Sequence, residues 1–385
     1  MRNIGLYIHI PFCQSKCYYC DFTSYVGQME KAERYVDCVV KEAREQTKTW
    51  GEMMADTVYL GGGTPSLLSE KSLERLVEGI ACYIPIKPGG EFTIEANPGT
   101  LTQSKGRLYE KLGINRVSLG MQSADGALLQ QLGRKHSPED VKIAVDVLHT
   151  AGIQNISVDI MYGLPGQTLE QLEQTLEEAV HLGVQHVSAY GLKVEEQTMF
   201  ARWKKEGKLT LPEEELELQM EELICRYLAE RGFARYEISN YARPGFESRH
   251  NLKYWDLEDY LGLGVGAHSY LTGVPNVRFA NGTRLGEYLA CLEGENAGYA
   301  PEQVDQLTEM EDVEEYIMLQ LRKTMGMDLG DFTRRFGRRY VEKIIPSMGL
   351  LKKNGLAVEE GDRFFLTRRG LAVQNAAVVE LIRNF

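Results

Sequence analysis

Short apolar runs alternate with longer segments of helical periodicity along the first half of the chain. Residues 6–10 form the first run, and a charged segment with helical spacing follows over residues 30–50. Further apolar runs lie at residues 57–60, 91–96, 116–121, 155–161 and 185–192. Such alternation is typical of β–α units, whose strands pair in parallel with helices outside. The pattern therefore predicts an α/β fold of six β–α units, coiled right-handedly into a full or partial barrel.

The second half of the chain has a different rhythm. An acidic helix is predicted over residues 212–231, followed by a seventh apolar run at 234–239 and a Gly- and aromatic-rich stretch to about residue 282. From about residue 309 the pattern predicts three helices, two short strands around Glu360–Gly361–Asp362 and a last helix. Their predicted ranges are 309–325, 328–336 and 339–353 for the helices and 356–359 and 363–366 for the strands.

These patterns divide the chain into a barrel (1–235), an extension (236–305) and a small winged-helix-like α+β domain (306–385). Winged helices often bind DNA. Here the Arg residues are interleaved with Asp and Glu, which favours a packing or lid domain instead.

Net charge and composition argue against nucleic acid and membrane as partners. The formal net charge is −12, so a role in gripping nucleic acid is not expected, because such proteins present basic surfaces. No segment approaches the length of apolar residues that a membrane span needs. The first residues lead directly into the cysteines and do not resemble a cleaved signal peptide. We therefore expect a cytoplasmic protein without an integral membrane segment.

Three of the seven cysteines fall within eight residues, as Cys13-x3-Cys17-x2-Cys20. Iron–sulfur clusters are normally held by four thiolates, so three would leave one iron open. The amino and carboxylate groups of S-adenosylmethionine could occupy that position, and an electron from the cluster could cleave its sulfonium. The alternative is a structural zinc site with His9 as fourth ligand, although such sites usually have CxxC-type spacing. The spacing favours a [4Fe–4S] cluster.

The segment around these cysteines, residues 7–22, reads YIHIPFCQSKCYYCDF. It closely resembles the radical SAM family typified by the oxygen-independent coproporphyrinogen III oxidases and a related haem chaperone branch. The resemblance extends over essentially the whole chain. It implies a partial (β/α)6 TIM-like barrel, with the cluster and S-adenosylmethionine at the C-terminal ends of the strands, where barrels generally place chemistry.

Residues at the strand ends suit such a ligand. Gly61–Gly62–Gly63–Thr64–Pro65 permits close backbone approach, although a plain strand-to-helix turn capped by Thr64 and Ser66 is the alternative. A carboxylate at Glu95 could hold ribose hydroxyls or an ammonium group. An ionisable residue inside an apolar strand, such as Asp159, is costly to bury without a partner. Arg134 could pair with Asp159 as an internal salt bridge, or with a ligand carboxylate.

The resemblance implies specific ligand positions. For the cluster-bound molecule they fall on Tyr7, Gly62 and Glu95. The family positions assigned to a second S-adenosylmethionine fall on Tyr19, Gly63, Thr64, Gln122, Arg134 and Asp159. Binding of a second molecule stays open from the sequence.

Two departures separate this chain from the oxidase branch. That branch resembles CxxxCxxCxC, whereas Phe22 stands here at the fourth position. The oxidase branch also carries an extension before its first strand, and only six residues precede Tyr7 here. We expect that extension to supply cationic residues for the propionates of coproporphyrinogen, so both departures argue against oxidase activity.

Residues 249–255, RHNLKYW, resemble the HNxxYW signature of the haem chaperone branch. An imidazole at His250 could ligate haem iron, and the aromatic rings of Tyr254 and Trp255 could stack on a macrocycle. A structural turn with buried aromatics and a hydrogen-bonded histidine is the alternative. The signature and Phe22 together favour the haem site.

A nearby Gly262-x-Gly264-x-Gly266 pattern superficially resembles a dinucleotide fingerprint. The sequence shows neither a preceding strand nor a βαβ frame, so we interpret it as tight backbone packing near the barrel mouth. His268, which follows, is a second-choice haem ligand and more simply structural.

The sequence therefore predicts a haem-binding radical SAM protein that passes haem to an acceptor protein. Its cofactors would be a [4Fe–4S] cluster and S-adenosylmethionine, with haem bound through His250. A coproporphyrinogen-converting enzyme of the same fold is one alternative. A radical SAM enzyme acting on an unrelated substrate is the other.

Overall fold

All six apolar runs of the first half form strands. The computed structural model describes residues 1–293, 299, 301–383 and 385. In chain order, β1 to β6 are Arg2–Ile10, Met53–Gly62, Ile86–Ala96, Arg116–Gln122, Asn155–Tyr162 and His186–Gly191. β3 begins five residues before the predicted run. Its start was missed because residues 87–89 are exposed and carry no apolar signal.

The helices of the first half pack against these strands. They are α1 to α6, at Ala32–Trp50, Glu70–Ala81, Gln103–Lys111, Gly126–Gln131, Pro138–Thr150 and Leu169–His181. Capping boxes start α5 and α6, where Ser137 and Thr168 accept from the backbone of the third helical residue. α4 was not predicted from the sequence, because six residues are too short to show helical periodicity.

The sheet is open, which confirms the partial barrel. β1 to β6 lie side by side in chain order and all run parallel. Tyr260–Leu263 continues the sheet as a further parallel strand beside β1. Beyond it, antiparallel strands follow in the order His268–Leu271, Val277–Ala280 and Gln303–Gln306. The twelve strands of this sheet, counted in the described residues, do not close, since its two edges do not pair.

The other edge of the sheet corrects the predicted seventh run. Only Ala234–Arg235 is a strand there, and it pairs antiparallel with Asn240–Ala242, which lies beside β6. Residues 236–239 turn the chain between the two. Helices Met199–Lys205 and Glu214–Ala229 precede this edge, and Arg249–Trp255 and Leu285–Leu292 follow it.

The C-terminal residues form a small helical unit with a β-ribbon, as predicted. The ribbon has three strands rather than two, because Met327–Asp328 pairs with Arg363–Leu366 on the side away from Ala357–Glu360. The helices of this unit are Glu309–Gln320, Leu329–Phe336, Arg338–Lys353, Arg368–Ala372 and Gln374–Ile382. A hydrophobic core of its own includes Tyr316 and Phe364, and Leu257 and Tyr270 from the preceding segment join that core.

Within the described residues, the helices are too short or too polar to cross a bilayer.

Candidate functional site

A cavity of about 380 Å³ lies at the C-terminal ends of the parallel strands. The cysteine loop and the glycine-rich turn after β2 form the rim of the cavity, and side chains of β3 to β6 form its floor. Most of the predicted ligand residues line it: Cys13, Cys17, Tyr19, Cys20, Gly62, Gly63, Thr64, Glu95, Gln122, Arg134 and Asp159. Tyr7 lies outside this cavity, and so do the candidate haem residues His250, Tyr254, Trp255 and His268. The parallel topology therefore brings together side chains that are far apart in sequence.

The three clustered cysteines form part of one wall. Cys13 lies in a two-residue strand, Phe12–Cys13, that pairs with Tyr25–Val26 and closes the loop between them. All three thiols are half-buried, and burial raises the pKa of Cys20. The Thr64 hydroxyl donates to the Cys13 sulfur at 3.6 Å.

The three thiols line one cavity, and they do not belong to a closed four-ligand metal site in the described structure. Three cysteines are the ligand number that leaves one iron of a [4Fe–4S] cluster open. His9 is not available as a further ligand in this arrangement. Its Nε2 donates to the Thr23 carbonyl at 2.7 Å, and its Nδ1 accepts from the Tyr7 hydroxyl at 2.9 Å.

The glycine-rich turn packs tightly against β1. Gly62 has φ of +109°, and a Cβ there would collide with the ring of His9. Its N–H donates to the Glu95 carboxylate at 3.0 Å, and the N–H groups of Gly63 and Thr64 donate to the Ile10 and Phe12 carbonyls. These backbone donors are therefore committed within the protein. A ligand at this turn would meet its carbonyls and the Thr64 hydroxyl.

Glu95 projects from the end of β3 into the cavity. The Tyr59 hydroxyl donates to one carboxylate oxygen at 2.8 Å, and the Gly62 N–H donates to the other. Burial, and secondarily the nearby charge of Asp159, raises the pKa of Glu95 to about 7. A ligand ammonium group would favour the ionised carboxylate, so the site can exchange a proton for a cation near neutral pH.

Arg134 and Asp159 do not form the internal salt bridge that was the alternative from the sequence. Arg134 donates to the Tyr19 hydroxyl at 2.8 Å, and its buried Nε has no hydrogen-bond partner among the described residues. Asp159 instead accepts from the Ser118 hydroxyl at 3.2 Å, and burial raises its pKa. Both side chains therefore keep capacity to bind a ligand.

Gln122 ends β4 in a strained conformation. Its φ is +63°, a region that non-glycine residues rarely adopt. The β4–β5 register shifts between Leu119 and Gln122, and the side chain is buried at the cavity wall. Strain of this kind is retained where the surrounding structure holds a side chain in a required position.

Arg116 and Tyr59 are among the cavity residues that were not predicted from the sequence. Arg116 begins β4, is only 2% exposed, and reaches the cavity with a buried Nε that lacks a partner in the described chain. Its sequence position gave no distinct signal, because an arginine at the end of a strand is mostly exposed. Tyr59 was also missed, and nothing in its sequence context distinguishes it from a packing residue.

A second, more open cavity of about 430 Å³ adjoins the first. The two share Gly62, Glu95, Asp21 and Phe22. The rest of its wall consists of Tyr7, His9, Thr23, Tyr254, Tyr260, Gly266 and His268. Tyr7, predicted to contact the cluster-bound molecule, therefore faces this adjoining space.

The HNxxYW segment forms a short helix, Arg249–Trp255, that was not predicted. The buried carboxylate of Glu91 caps the helix by accepting from the N–H groups of Arg249 and His250, each at 2.9 Å. A carboxylate in this position satisfies backbone donors that would otherwise be unpaired inside the protein. The helix therefore has a fixed start near the N-terminal half of β3.

His250 is enclosed rather than open to a ligand. It is 1% exposed, stacks on Tyr59, and pairs its Nδ1 with the Thr57 hydroxyl and its Nε2 with the Tyr254 hydroxyl, both at 2.8 Å. Burial lowers its pKa to about 3, so the ring is neutral. In this arrangement neither ring nitrogen is open to an iron. A haem ligand role for His250 stays a prediction, and it requires at least one of these bonds to break.

The other members of the segment face different parts of the molecule. Asn251 reaches the first cavity and Tyr254 the second. Trp255 lies beneath the guanidinium of Arg322 from the C-terminal unit, with 4.9 Å between guanidinium carbon and ring centroid. The segment thus connects both cavities to the C-terminal unit.

The glycine pattern at residues 262–266 is a tight turn beside β1. Contrary to the sequence analysis, a strand does lead into it, since Gly262 belongs to Tyr260–Leu263. The turn then continues into an antiparallel strand rather than a helix, so the dinucleotide-binding frame is not formed. Gly264, at φ of +99°, packs against the Tyr35 hydroxyl and the His9 backbone.

Comparisons with known proteins agree with this architecture. Residues 7–179 match the Radical SAM superfamily, and residues 307–373 match the HemN C-terminal domain. The chain is 36% identical to the haem chaperone HemW of Bacillus subtilis over 371 residues, covering 96% of each chain. It is 35% identical to HemW of Mycobacterium tuberculosis over 387 residues, covering 99% of this chain and 95% of that one.

A solved structure shows the same fold. Coproporphyrinogen III oxidase (HemN) from Escherichia coli, a radical SAM enzyme, superimposes with a TM-score of 0.85 at 22% identity. The match covers 99% of this chain and 90% of the oxidase.

Proposed function

This chain belongs to the haem chaperone HemW family of radical SAM proteins, and from that premise we propose that it binds haem and delivers it to acceptor proteins. The observation that carries the proposal is the similarity to HemW proteins along nearly the whole chain. Similarity to the oxidase, at 22% identity, supports the shared fold alone.

The cluster would be held by Cys13, Cys17 and Cys20. Three half-buried thiols on one cavity wall supply three ligands and leave one iron for another molecule. When bound, the cluster would donate the electron that cleaves the sulfonium of S-adenosylmethionine to a carbon radical. The Thr64 hydroxyl, directed at the Cys13 sulfur, would fix that thiolate by hydrogen bonding.

S-adenosylmethionine would bind between the cysteine wall and the strand ends. Tyr7, Gly62 and Glu95 are the residues proposed for the cluster-bound molecule. Glu95 is fixed by Tyr59 and Gly62, so its carboxylate is oriented before the ligand arrives. Orientation in advance reduces the entropy lost on binding.

A second S-adenosylmethionine would use further residues of the same cavity. The residues proposed for it are Tyr19, Gly63, Thr64, Gln122, Arg134 and Asp159. Arg134 offers a guanidinium for a ligand carboxylate, and Asp159 offers a carboxylate that can accept hydrogen bonds. A bound cation would lower the pKa of Asp159, which burial raises in the free protein.

The second candidate function is conversion of coproporphyrinogen by radical chemistry. The resemblance of the cysteine segment, residues 7–22, to the oxidase branch favours it. Against it stands Phe22, which is 65% exposed at the fourth position of the oxidase motif and faces both cavities.

Two assays on the reconstituted, anaerobic protein separate these functions. In the first, the protein is incubated with S-adenosylmethionine, reductant and coproporphyrinogen III, and porphyrins are read by mass spectrometry. In the second, the haem-loaded protein is mixed with a haem-free acceptor, and the acceptor's Soret band is followed. We expect haem transfer and no decarboxylated product from protein that releases 5′-deoxyadenosine. Repeated loss of two carboxyl groups per substrate, without haem transfer, would overturn the proposal.

A further inference from the structure

His268 is the exposed histidine of the second cavity. It begins the strand His268–Leu271, and its imidazole makes no hydrogen bond within the described part of the chain. His9 and His250, by contrast, have both ring nitrogens engaged. A histidine with an open nitrogen in a cavity is available to a metal, whereas a doubly bonded one is not.

The neighbours of His268 in the sheet leave space around its ring. Gly262 lies on one side, where any Cβ would collide with the His268 carbonyl, and Ala280 is its cross-strand partner on the other. Tyr7 is paired with Gly262 one strand further along. Because paired residues share one face of a sheet, the missing side chain of Gly262 and the single methyl group of Ala280 place no large group beside the exposed imidazole.

Aromatic rings form the walls of this space. Tyr254 and Tyr260 meet edge to face with ring centroids 4.7 Å apart, and both line the cavity. Phe22 lines it from the cysteine loop and is 65% exposed. An exposed phenylalanine beside tyrosines is an unfavourable surface in water, and a flat apolar ligand would cover it.

We propose that haem binds in this second cavity, where His268 would ligate its iron and Phe22, Tyr254 and Tyr260 would supply the aromatic wall. The inference rests on the proposed haem-carrying function and assigns the site for it. It also gives the HNxxYW segment a different part: Tyr254 contributes wall, while His250 holds Tyr254 in place through the bond to its hydroxyl. The two cavities share Asp21, Phe22, Gly62 and Glu95, so haem would lie directly beside S-adenosylmethionine bound at Gly62 and Glu95.

The test is a titration of the full-length reconstituted protein with hemin, comparing wild type, His268→Ala and Phe22→Ala. We expect His268→Ala to shift the Soret band and to weaken hemin binding at least tenfold, while the cluster content of the variant stays unchanged. Added imidazole should restore the wild-type spectrum in His268→Gly by replacing the missing ligand. Metal-free protoporphyrin IX has no iron for His268 to ligate. Its affinity for His268→Ala should therefore equal that for wild type, whereas its affinity for Phe22→Ala should be lower.

The outcomes distinguish a failure of the haem-site assignment from a failure of the proposed haem-carrying function. If wild type binds no hemin, the proposed function and the inference both fail. If wild type binds hemin and His268→Ala keeps the same Soret band and affinity, only the inference fails. Loss of the band in a folded His250→Ala protein, with His268→Ala unaffected, would assign the ligand to His250 instead.

Discussion

Arg134 donates a hydrogen bond to the hydroxyl of Tyr19, with 2.8 Å between Nη2 and Oη. Tyr19 directly precedes the third clustered cysteine, and Arg134 follows α4 on the segment after β4. The bond therefore ties the cysteine loop to the barrel wall. Removing this bond costs the buried guanidinium of Arg134 a hydrogen-bond partner, and its Nε already has no partner in the described chain.

We expect Tyr19→Phe to loosen the cysteine loop and to weaken the binding of S-adenosylmethionine roughly tenfold, which corresponds to the loss of one charge-assisted hydrogen bond. Calorimetric titration of reconstituted protein measures the affinity. The rate at which a chelator removes the cluster absorbance measures how firmly the loop is held. Tyr18→Phe is the matched control, because the Tyr18 hydroxyl makes no hydrogen bond within the described residues. Equal behaviour of the two variants would contradict this role.

Glu95 gives S-adenosylmethionine binding a pH dependence. Its pKa is raised to about 7, so the carboxyl is neutral below that pH and ionised above it. If the carboxylate holds the ligand ammonium, affinity increases as the pH rises from 6 to 7.5, by at most tenfold per unit. Titrations at several pH values check this. Glu95→Gln should bind more weakly and lose the slope, and an unchanged slope in that variant would rule out Glu95 as its source.

Glu42 makes the stability of the fold depend on pH in the opposite direction from an ordinary surface carboxylate. It is fully buried and accepts from the Gly264 N–H, the Asn281 amide and the Tyr288 hydroxyl. Burial raises its pKa from 4.5 to about 7, so the folded state binds more protons than the unfolded state between these values. Its stabilisation is complete below pH 4.5 and is lost as the pH rises through 7.

We expect this loss to reach about 3 kcal/mol at most by pH 8. Urea unfolding at pH 5.5, 6.5 and 8 measures it, and Glu42→Gln should flatten that part of the profile. Exposed Glu33, in the same helix α1, provides the control substitution Glu33→Gln. A profile that stays steep in Glu42→Gln would assign the dependence to other groups.

His250 has a structural role that must be separated from haem binding. His250→Ala removes bonds to Thr57 and Tyr254 and opens a cavity in the barrel interior. We expect a destabilisation of about 2–4 kcal/mol. His268→Ala, at an exposed position, should cost less than about 0.5 kcal/mol. Urea midpoints of the two variants compare them directly, and similar midpoints would mean that His250 does not hold the barrel together.

The periodicity of the chain predicted the barrel well because each strand and helix carries its own local signal. All six apolar runs became strands, and the helical pattern predicted over residues 30–50 became α1, Ala32–Trp50. The misses are short elements, such as α4 and Arg249–Trp255, whose few residues cannot display a period. The predicted strand at 234–239 was wrong beyond Arg235, because its apolar residues pack in a turn between edge strands.

The site was predictable as far as motif and topology allow. The cysteines and strand-end residues line one cavity because parallel strands place their C-terminal ends at one edge. Partnerships across the fold were not predictable. His250 contacts Thr57 and Glu91, which lie far earlier in the chain, and no local pattern reports that burial. Arg134 could have paired with Asp159 or Tyr19, and only the fold decides for Tyr19.

The proposed function begins with the cluster, so the most direct measurement is iron and sulfide content after anaerobic reconstitution. Wild type and a triple Cys13→Ala, Cys17→Ala, Cys20→Ala variant are compared with a control that carries Cys82→Ala, Cys225→Ala and Cys291→Ala. We predict about four irons and four sulfides per chain in wild type and control, with brown absorbance, and neither in the triple variant. Full iron and sulfide in the triple variant would contradict the assignment of the cluster to these three cysteines.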